Sequence, residues 1–436
     1  MTKQKIHKLS GNLRVASDKS QSHRSLILSA LATGKSEISN LLESDDVLNT
    51  INILRDLGIK IIKKNKKWIV YGNGVNGFIK SRKALYCGNS GTTARLMLGA
   101  VSTNPITCTF TGDSSLSNRE MLRVTDYLEK IGCEVNLTNK KYLPIIIKGS
   151  KMPLPLIHKI NKPSAQVKSA LILASLNIAG ETTIIEPRLT RNHTELALKY
   201  LNVNFKIKKI ASGGQKLVFK GPYEIRSKNF FISSDPSSCA FMIVGSLITP
   251  NSKIKLLDVN LNPTRIAYLS ILKKMGGRIK IKKTKNISGE QLGTVEASSS
   301  SLKGISIPSK LTPFLIDEYP ILSVAASQAK GVSYFHDLGE LRHKESDRIK
   351  SMAEMLKSFG IKTKVKNNDI KIYGSPLKEV ICKKTIKVYN DHRIALSASV
   401  LGIISKNSIK LDDGGKSINT SYPNFKNDLK KLITYK

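Results

Sequence analysis

The chain has 436 residues, of which 40% are hydrophobic and 24% charged, and it carries a formal net charge of +39. A chain of this length can bury two substantial cores. No stretch is both long and apolar enough to be a membrane-spanning helix, so we expect no membrane association. The first residues lack the apolar segment of a secretory signal, which favours a cytoplasmic protein.

Cysteine and histidine usage agrees with that location. The seven histidines are dispersed without zinc-ligand spacing, and the five cysteines form no C-x-x-C pair. We therefore expect no metal site, and thiols that are reduced and mostly buried. The cysteines are Cys87, Cys108, Cys133, Cys239 and Cys382.

The large positive charge suits a nucleic-acid-binding protein as one interpretation. The lysines, however, are spread over strand-like segments such as residues 59–64, 205–209 and 278–283, where alternation places many of them on the solvent face. The sequence contains no RNP-type aromatic motif and no zinc-finger spacing. We interpret the charge as a preference for lysine that also attracts anionic metabolites, and we expect no nucleic-acid partner.

A supersecondary unit recurs six times along the chain, with a period of about 70 residues. Each copy starts with a polar cluster that leads into a short apolar helix, and a strand, an amphipathic helix and two β-rich stretches follow. The sixth copy is truncated. The polar clusters begin at Lys19, Asn89, Pro163, Asp235, Asp317 and Asn390.

The elements predicted after each apolar helix follow one order along the chain. This alternation predicts an α/β protein with mixed sheets packed over buried helices, and residues 221–228 divide six copies into three and three. The predicted strands are 36–38, 107–111, 182–185, 254–257, 332–335 and 409–411, and the predicted second helices are 47–57, 121–131, 194–201, 266–275, 349–359 and 425–432.

The polar clusters matter because helix N-termini bind anions through free backbone N–H groups and the helix dipole. Six such ends with hydroxyl, amide and cationic side chains suggest one site for a multiply anionic substrate. Lys19, Ser20 and Arg24 fit either a phosphate cradle or an ordinary cap with solvated cations. Gly91 permits close approach of a ligand to the backbone, or is a simple turn glycine.

The later clusters also allow two interpretations each. Lys344 and Arg348 would lie on one helix face at i,i+4, with Glu345 beside them for proton exchange, unless the run is a solvated surface turn. Asp317 is either an N-cap or a general base facing a cleft. His392 in Asp391-His392-Arg393 is more often structural.

Two motifs are decoys. Residues 72–77 fit G-x-G-x-x-G, but no helix pattern or βαβ unit follows, so we predict a tight turn between strands. Residues 300–303 fit S-x-x-K equally weakly.

Seven segments together, in this order, resemble the 5-enolpyruvylshikimate-3-phosphate synthases (3-phosphoshikimate 1-carboxyvinyltransferases) of the enolpyruvyl transferase family, over essentially the whole chain. The resemblance implies two similar domains, each of three βαβαββ units: residues 19–229, and residues 1–18 with 230–436. Helix N-termini of both would face an interdomain cleft that closes on substrate. The segments are residues 18–24, 88–93, 111–113 with Arg119, 164–169, 317–320, 342–348 and 391–393.

The family reaction moves the enolpyruvyl group of phosphoenolpyruvate to the 5-hydroxyl of shikimate 3-phosphate and releases phosphate, in the shikimate pathway of aromatic amino-acid biosynthesis. It needs no metal or organic cofactor. The resemblance also implies a monomer. Two phosphates and two carboxylates must share one site, which explains the many cations and helix ends.

Matching positions carry the family roles onto this sequence. Asp317 would be the base on the 5-hydroxyl, Glu345 the proton donor to C3 with help from Lys344, and Lys19 would also serve catalysis, while His392 would be supportive. The shikimate 3-phosphate ligands would be Lys19, Ser20, Arg24, Ser164, Ala165, Gln166, Arg191, Asp317 and Lys344. The phosphoenolpyruvate ligands would be Lys19, Gly91, Arg119, Gln166, Arg348 and Arg393.

The sequence departs from the family pattern at two places. Ala16-Ser17 stands where Pro-Gly is usual, and residues 420–423 lack the lysine that some members have near the C-terminus. Gly91 keeps the small residue that the family associates with sensitivity to glyphosate, so we expect glyphosate to compete with phosphoenolpyruvate.

Two alternatives stay open. UDP-N-acetylglucosamine enolpyruvyl transferase shares the architecture, but its loop cysteine is missing from residues 112–118. That enzyme usually has Lys-Asn where this chain has Lys19-Ser20, a pair that fits the shikimate enzyme better. A basic RNA-binding or RNA-end-processing protein would instead show RNA affinity that falls steeply with salt.

Overall fold

A computed structural model describes residues 6–376 and 380–435 of the chain. Most strands are short, and the helices run from one to about three turns. The strands are β1 (Ile6–Leu13), β2 (Thr33–Ser39), β3 (Lys60–Lys64), β4 (Lys67–Asn73), β5 (Leu85–Tyr86), β6 (Thr107–Thr111), β7 (Glu134–Thr138), β8 (Tyr142–Lys148), β9 (Ile157–Lys159), β10 (Gly180–Glu186), β11 (Lys206–Lys209), β12 (Gln215–Gly221), β13 (Phe230–Phe231), β14 (Lys253–Asn260), β15 (Arg278–Ile287), β16 (Glu290–Ser298), β17 (Ser306–Ile307), β18 (Gly331–Phe335), β19 (Thr363–Lys366), β20 (Asp369–Gly374) and β21 (Ile433–Tyr435).

Helices alternate with these strands, and short 3₁₀ turns occur at Ser309–Leu311, Gly339–His343, Gly402–Ile404 and Lys416–Thr420. The α-helices are α1 (Lys19–Leu31), α2 (Asp45–Asp56), α3 (Gly91–Val101), α4 (Ser114–Ser117), α5 (Leu122–Lys130), α6 (Ala165–Ser175), α7 (His193–Tyr200), α8 (Pro236–Ile248), α9 (Ala267–Lys274), α10 (Thr312–Leu315), α11 (Tyr319–Ser327), α12 (Arg348–Ser358), α13 (His392–Leu401) and α14 (Phe425–Leu432).

The chain divides into two compact units. The N unit comprises Ser17–Ile232 and Ile287–Glu290. The C unit comprises the described residues of Met1–Ala16, Ser233–Asn286 and Gln291–Lys436.

The N unit contains three four-stranded sheets with the same plan. In the sheet ordered β5-β6-β8-β7, β5 pairs in parallel with β6, and β8 pairs antiparallel with both β6 and β7. The sheets ordered β13-β2-β4-β3 and β9-β10-β12-β11 repeat this pattern. The predicted βαβαββ unit with a mixed sheet is therefore confirmed.

The C unit contains a sheet of the same plan, β17-β18-β20-β19, and a five-stranded sheet, β15-β16-β14-β1-β21. Its last repeat is reduced to isolated bridges, Val380 with Ser405 and Ile386 with Leu411. The strand predicted at residues 409–411 is thus wrong as a regular strand, because only Leu411 pairs there. The final helix, α14, begins and ends where it was predicted.

The two units exchange their leading strands. β1 leads into the N unit along the chain, yet it lies in the C unit, parallel to β14 and antiparallel to β21. β13 leads into the C unit, yet it lies in the N unit, parallel to β2. Each unit therefore completes one sheet with a strand that is remote in sequence.

Three nearly uniformly buried helices form the centre of each unit. In the N unit, α1, α3 and α6 are buried along most of their length, and α3 packs closely on α6. In the C unit, α8, α11 and α13 pack against one another in the same way. Helices that are apolar all round must be covered on all sides, and sheets and amphipathic helices such as α5 and α12 cover them.

The contact between α3 and α6 depends on a glycine. A Cβ added at Gly99 would lie 2.3 Å from the carbonyl oxygen of Ala170 and 2.6 Å from its Cα. Only a residue without a side chain permits this approach of the two backbones.

The lysine-rich strands place their cations outward. Lys60, Lys63 and Lys64 of β3 are exposed while Ile61 is buried, and all of β11 is exposed. The solvent-face interpretation of these lysines is confirmed. Within residues 6–376 and 380–435, no helix has both the length and the apolar character needed to cross a membrane.

Candidate active site

Buried helices in both units begin with polar caps at the positions that the sequence singled out. Asp18, Ser90 and Ser164 cap α1, α3 and α6, and each accepts a hydrogen bond from a backbone N–H of the first turn. Asp235 and Asp391 cap α8 and α13 in the C unit in the same way. Side-chain caps leave other first-turn N–H groups available for an anion.

At the start of α1, Lys19 and Arg24 are fixed by hydrogen bonds. Nζ of Lys19 lies 2.9 Å from Oδ2 of Asp46. Arg24 donates from Nε to Oγ1 of Thr194 at 2.8 Å and from Nη2 to Oγ of Ser169 at 2.8 Å. Arg24 is buried among hydroxyl groups and so is not a solvated cation, while the cradle interpretation of Lys19, Ser20 and Arg24 stays a prediction.

Gly91 is the first residue of α3 and lies under two arginines. A Cβ added there would be 2.6 Å from Nη1 of Arg95 and 3.4 Å from Nη1 of Arg119. Arg119 is held by Asn89, whose Oδ1 accepts from Nη2 at 2.6 Å, and by Oγ of Ser115 at 3.0 Å. Gly91 therefore lies beside two guanidinium groups at the start of α3, and its role in ligand binding stays a prediction.

Gln166, in the first turn of α6, links that helix to α3. Its Oε1 accepts from Nη1 of Arg95 at 2.8 Å, and its Nε2 donates to Oγ1 of Thr92 at 3.0 Å. Ser164 and Ala165 lie at the same helix start, partly exposed, and Arg191 precedes α7. Most predicted ligands of the N unit thus lie in the first turns of α1, α3 and α6 or in the segments before α6 and α7, whereas Arg24 lies in the second turn of α1 and Arg119 between α4 and α5.

Sequence reasoning missed Lys168, one turn beyond Ser164. Its side chain is completely buried, and Nζ lies 2.9 Å from Oε2 of Glu186 and 2.7 Å from Oε1 of Glu195. The only signal in the sequence was a lysine inside an otherwise apolar helix.

In the C unit, Arg348 is surrounded by carboxylates. Its Nε donates to Oδ2 of Asp391 at 2.8 Å, Nη2 to Oε2 of Glu345 at 2.6 Å, and Nη1 to Oδ1 of Asp317 at 3.3 Å. Burial acts to lower the pKa of this guanidinium, but the three carboxylates outweigh it and raise the pKa above its ordinary value. Arg348 is therefore a permanent buried cation that collects both predicted proton-transfer groups.

Arg393 approaches the same carboxylate. Its Nη1 donates to the backbone oxygen of Asp317 at 3.0 Å, and its Nε lies 3.5 Å from Oδ1. Glu318 occupies the N-cap position of α11 but makes no side-chain capping bond, and Asp317 precedes it. The N-cap interpretation of Asp317 is therefore wrong, since its carboxylate faces two guanidinium groups.

The predicted helix face of Lys344 and Arg348 is also wrong. A 3₁₀ turn occupies Gly339–His343, Lys344 is extended, and α12 begins only at Arg348. The side chain of Asp347 caps the helix and accepts from Nη1 of Arg342 at 2.6 Å, which ends the turn before Lys344. Lys344 and Glu345 are partly exposed in this connecting segment.

A second buried cluster in the C unit was not predicted from sequence. Nη2 of Arg265 donates to Oδ1 of Asp235 at 2.9 Å and to Oγ of Ser237 at 3.0 Å, and Ser237 donates to Oε1 of Glu318 at 2.5 Å. The cluster joins the starts of α8 and α11.

Histidines near the predicted site are buried. Nδ1 of His23 lies within hydrogen-bond distance of Oγ1 of Thr50, at 2.8 Å. Burial, together with the charges of Lys19 and Arg24, holds the pKa of His23 well below its usual value. His392 is buried in the first turn of α13, in agreement with a structural role.

The described residues contain no group of three or more His, Cys, Asp or Glu side chains arranged to hold a metal ion. All five cysteines are buried, as expected, and no disulfide links them. Burial raises the pKa of Cys108 and Cys133 to about 11, so these thiols are protonated at neutral pH.

Comparisons with known proteins cover almost the whole chain. A family model described as EPSP synthase (3-phosphoshikimate 1-carboxyvinyltransferase) matches residues 3–429. A 3-phosphoshikimate 1-carboxyvinyltransferase of Rhodopseudomonas palustris is 40% identical over 426 residues, which is 97% of this chain and 95% of the relative. One from Bradyrhizobium diazoefficiens is 41% identical over 419 residues, 96% of this chain and 89% of the relative.

Solved structures give the same result. An EPSP synthase from Acinetobacter baumannii matches with a TM-score of 0.83 and 34% identity, covering 99% of this chain and 97% of that one. The enolpyruvyl transferase NikO from Streptomyces tendae matches with a TM-score of 0.77 at 16% identity, a likeness of fold alone. The predicted fold class is therefore confirmed.

Proposed function

Because the chain belongs to the EPSP synthase family, we propose that it transfers the enolpyruvyl group of phosphoenolpyruvate to the 5-hydroxyl of shikimate 3-phosphate and releases phosphate. This reaction is a step of the shikimate pathway, which leads to the aromatic amino acids. Addition of the hydroxyl oxygen to C2, with protonation of C3, gives a tetrahedral intermediate. Loss of a proton from C3 and departure of phosphate then restore the double bond.

The N unit supplies hydroxyl, amide and cationic groups for shikimate 3-phosphate. Lys19, Ser20 and Arg24 at the start of α1, together with Ser164 at α6, bind its phosphate and carboxylate, and Arg191 adds a cation. Ala165 and Gln166 contribute from the first turn of α6. These groups are supported by the fixed hydrogen bonds of Arg24 and Gln166.

Phosphoenolpyruvate carries a phosphate and a carboxylate, so its ligands are mostly cationic. Lys19, Gly91, Arg119 and Gln166 of the N unit bind it together with Arg348 and Arg393 of the C unit. Charge-assisted hydrogen bonds to planar guanidinium groups are suited to both kinds of anion.

Proton transfer falls to the carboxylates of the C unit. Asp317 removes the proton of the 5-hydroxyl, and Glu345 protonates C3 with assistance from Lys344. Lys19 offsets the negative charge that gathers on the leaving phosphate. No metal or organic cofactor enters these steps.

One observation carries this assignment: Asp317 and Glu345 both hydrogen-bond to the guanidinium of Arg348. The proposed reaction needs a group that accepts the 5-hydroxyl proton, a group that donates a proton to C3 and a cation for the anionic substrate, all near the same reacting atoms. The pairing supplies all three groups at one point.

A phosphate-release assay with phosphoenolpyruvate tests the proposal. Shikimate 3-phosphate and UDP-N-acetylglucosamine are offered separately, and phosphate is expected only with shikimate 3-phosphate. Phosphate release with UDP-N-acetylglucosamine alone would show that the chain is a UDP-N-acetylglucosamine enolpyruvyl transferase instead. Salt-sensitive RNA binding without turnover of either acceptor would favour the RNA-binding alternative.

The same proposal includes three further properties. Glyphosate competes with phosphoenolpyruvate, as the small residue Gly91 indicates. The enzyme acts as a monomer in the cytoplasm. Size-exclusion chromatography with light scattering tests the monomer, and an inhibition series at varied phosphoenolpyruvate tests the competition.

A further inference from the structure

Lys168 is a charged residue in an apolar environment. It lies in the first half of α6, its side chain is 0% exposed, and the residues that follow it in the helix are all buried. A lysine in such a place is costly unless its charge is paired and hydrogen-bonded. Its ammonium group contacts two carboxylates, Glu186 at 2.9 Å and Glu195 at 2.7 Å, which are themselves buried.

The neighbouring groups complete this cluster, which we call the Lys168 cluster (Lys168, Glu186, Glu195 and Gln215). Nε2 of Gln215 donates to Oε2 of Glu186 at 2.8 Å and to Oε1 of Glu195 at 3.2 Å. The backbone N–H of Thr190 donates to Oε1 of Glu186 at 2.9 Å. One cation therefore lies between two anions that would otherwise repel each other.

The cluster joins α6, which carries proposed ligands of shikimate 3-phosphate, to β10 and α7, which flank the segment with Arg191. Lys168 belongs to α6, whose start carries Ser164. Glu186 ends β10 and holds Thr190 in the turn before Arg191. Glu195 belongs to the first turn of α7.

A second contact between α6 and α7 involves Arg24. Oγ of Ser169 lies 2.7 Å from Oγ1 of Thr194, and both hydroxyl groups accept from the Arg24 guanidinium at 2.8 Å. Ser169 follows Lys168, and Thr194 precedes Glu195. The spacing of α6 and α7 therefore sets the position of Arg24 as well.

We propose that Lys168 is a positioning residue for shikimate 3-phosphate, one that holds Ser164, Arg191 and Arg24 in register by bridging Glu186 and Glu195. This inference rests on the proposed function. The phosphoenolpyruvate ligands Gly91 and Arg119 belong to a different repeat. Gln166 shares α6 with Lys168, but Arg95 and Thr92 anchor it to α3 independently.

The Lys168→Met variant tests the proposal. Methionine fills a similar volume but leaves the two carboxylates without a cation, so α7 and the turn before it are pushed from α6. We expect KM for shikimate 3-phosphate to rise about tenfold or more, while KM for phosphoenolpyruvate changes less than about threefold. The exposed pair of Lys148 and Glu134, 2.7 Å apart, supplies the control Lys148→Met, which should change neither KM.

A double variant separates repulsion from packing. Lys168→Met/Glu195→Gln removes one of the two opposed charges, so we expect it to regain part of the affinity for shikimate 3-phosphate. If Lys168 acts only by filling space, the double variant will bind this substrate no better than Lys168→Met, which would overturn the proposal.

Two further outcomes are decisive. If Lys168→Met does not fold, as judged by circular dichroism, Glu195→Gln takes its place, since it keeps the Lys168–Glu186 pair. A rise in KM for shikimate 3-phosphate alone then supports the proposal, and an unchanged KM overturns it. The parent is assayed first: no turnover of the two substrates would refute the proposed function, whereas an active parent with equal rises of both KM values in Lys168→Met would refute only the positioning role.

Discussion

Oδ1 of Asp317 lies 3.3 Å from Nη1 of Arg348, so the proposed base is paired with a proposed phosphoenolpyruvate ligand before any substrate binds. The same guanidinium holds Glu345 through Nη2. Both proposed proton-transfer groups therefore contact one buried cation.

Replacing Asp317 by asparagine should abolish proton removal from the 5-hydroxyl. The amide keeps the size of the side chain but is not basic, so we expect kcat to fall by about 10²–10⁴-fold with little change in the dissociation constant of shikimate 3-phosphate. Steady-state kinetics and calorimetric titration measure the two quantities. Full activity of this variant would remove the assigned role.

Glu345→Gln should impair a different proton transfer, the one to C3 of phosphoenolpyruvate. We expect a loss of about 10²–10⁴-fold in kcat because C3 is no longer protonated efficiently. Exchange of the C3 hydrogens of phosphoenolpyruvate with deuterated solvent, followed by NMR, should slow in parallel. Exchange at the parental rate would assign the proton donor elsewhere.

Gly91→Ala should weaken phosphoenolpyruvate and glyphosate binding together. The added Cβ would lie 2.6 Å from Nη1 of Arg95, so that guanidinium must move, and it holds Gln166. We expect KM for phosphoenolpyruvate and the inhibition constant of glyphosate to rise at least severalfold. Parental inhibition in the variant would contradict the placement of the inhibitor beside Gly91.

Stability should fall in mild acid because of His158. Burial, aided by the charge of Lys130, lowers its pKa to about 4, whereas in the unfolded chain it titrates near 6.5. Between these two pKa values the unfolded state binds a proton at His158 that the folded state does not bind. The free energy of unfolding therefore decreases as the pH falls from 6.5 towards 4. Between pH 7.5 and 5 this amounts to about 2 kcal/mol.

Urea unfolding of the parent and of His158→Gln measures that difference. The variant should lose about 2 kcal/mol less over the same pH interval, whatever its stability at pH 7.5. Equal losses in the two proteins would show that His158 is not the group responsible.

Gly99→Ala should destabilise the N unit. The new Cβ would lie 2.3 Å from the carbonyl oxygen of Ala170, and backbone cannot move aside cheaply, so we expect a loss of about 1–3 kcal/mol. Gly245→Ala is the matched control, because it also lies in a buried helix but its nearest neighbours are side-chain atoms at 3.4 Å. A loss in the control as large as in Gly99→Ala would contradict the close contact.

Much of this architecture could be predicted because local patterns determine it. The apolar helices, the glycines that end their neighbours and the polar caps at Asp18, Ser90 and Ser164 all act over a few residues. The position of β1 could not be predicted in that way, because its partners β14 and β21 lie more than 200 residues further along the chain. The prediction of a strand at residues 409–411 was wrong for a related reason, because a short local pattern does not reveal whether a partner strand lies beside it.

In the candidate site, too, the residues could be predicted from local sequence but their contacts could not. Asp317 and Arg393 could be named from motifs, but their pairing depends on how α11 and α13 pack. Lys344 was placed on a helix because charges at i,i+4 resemble a helix face, whereas Asp347 caps α12 and excludes it. Lys168 lies in the segment 164–169, but its role could not be predicted, because its carboxylate partners come from β10 and α7.

The exchange of leading strands sets an order of events during translation. Once residue 231 has emerged from the ribosome, the N unit has every strand of its three sheets. The five-stranded sheet of the C unit instead pairs β1 with β14 and with β21, so residues 6–13 gain one neighbour only after residue 260 is made and the other only after residue 435. The three sheets of the N unit can therefore form before the five-stranded sheet of the C unit is complete.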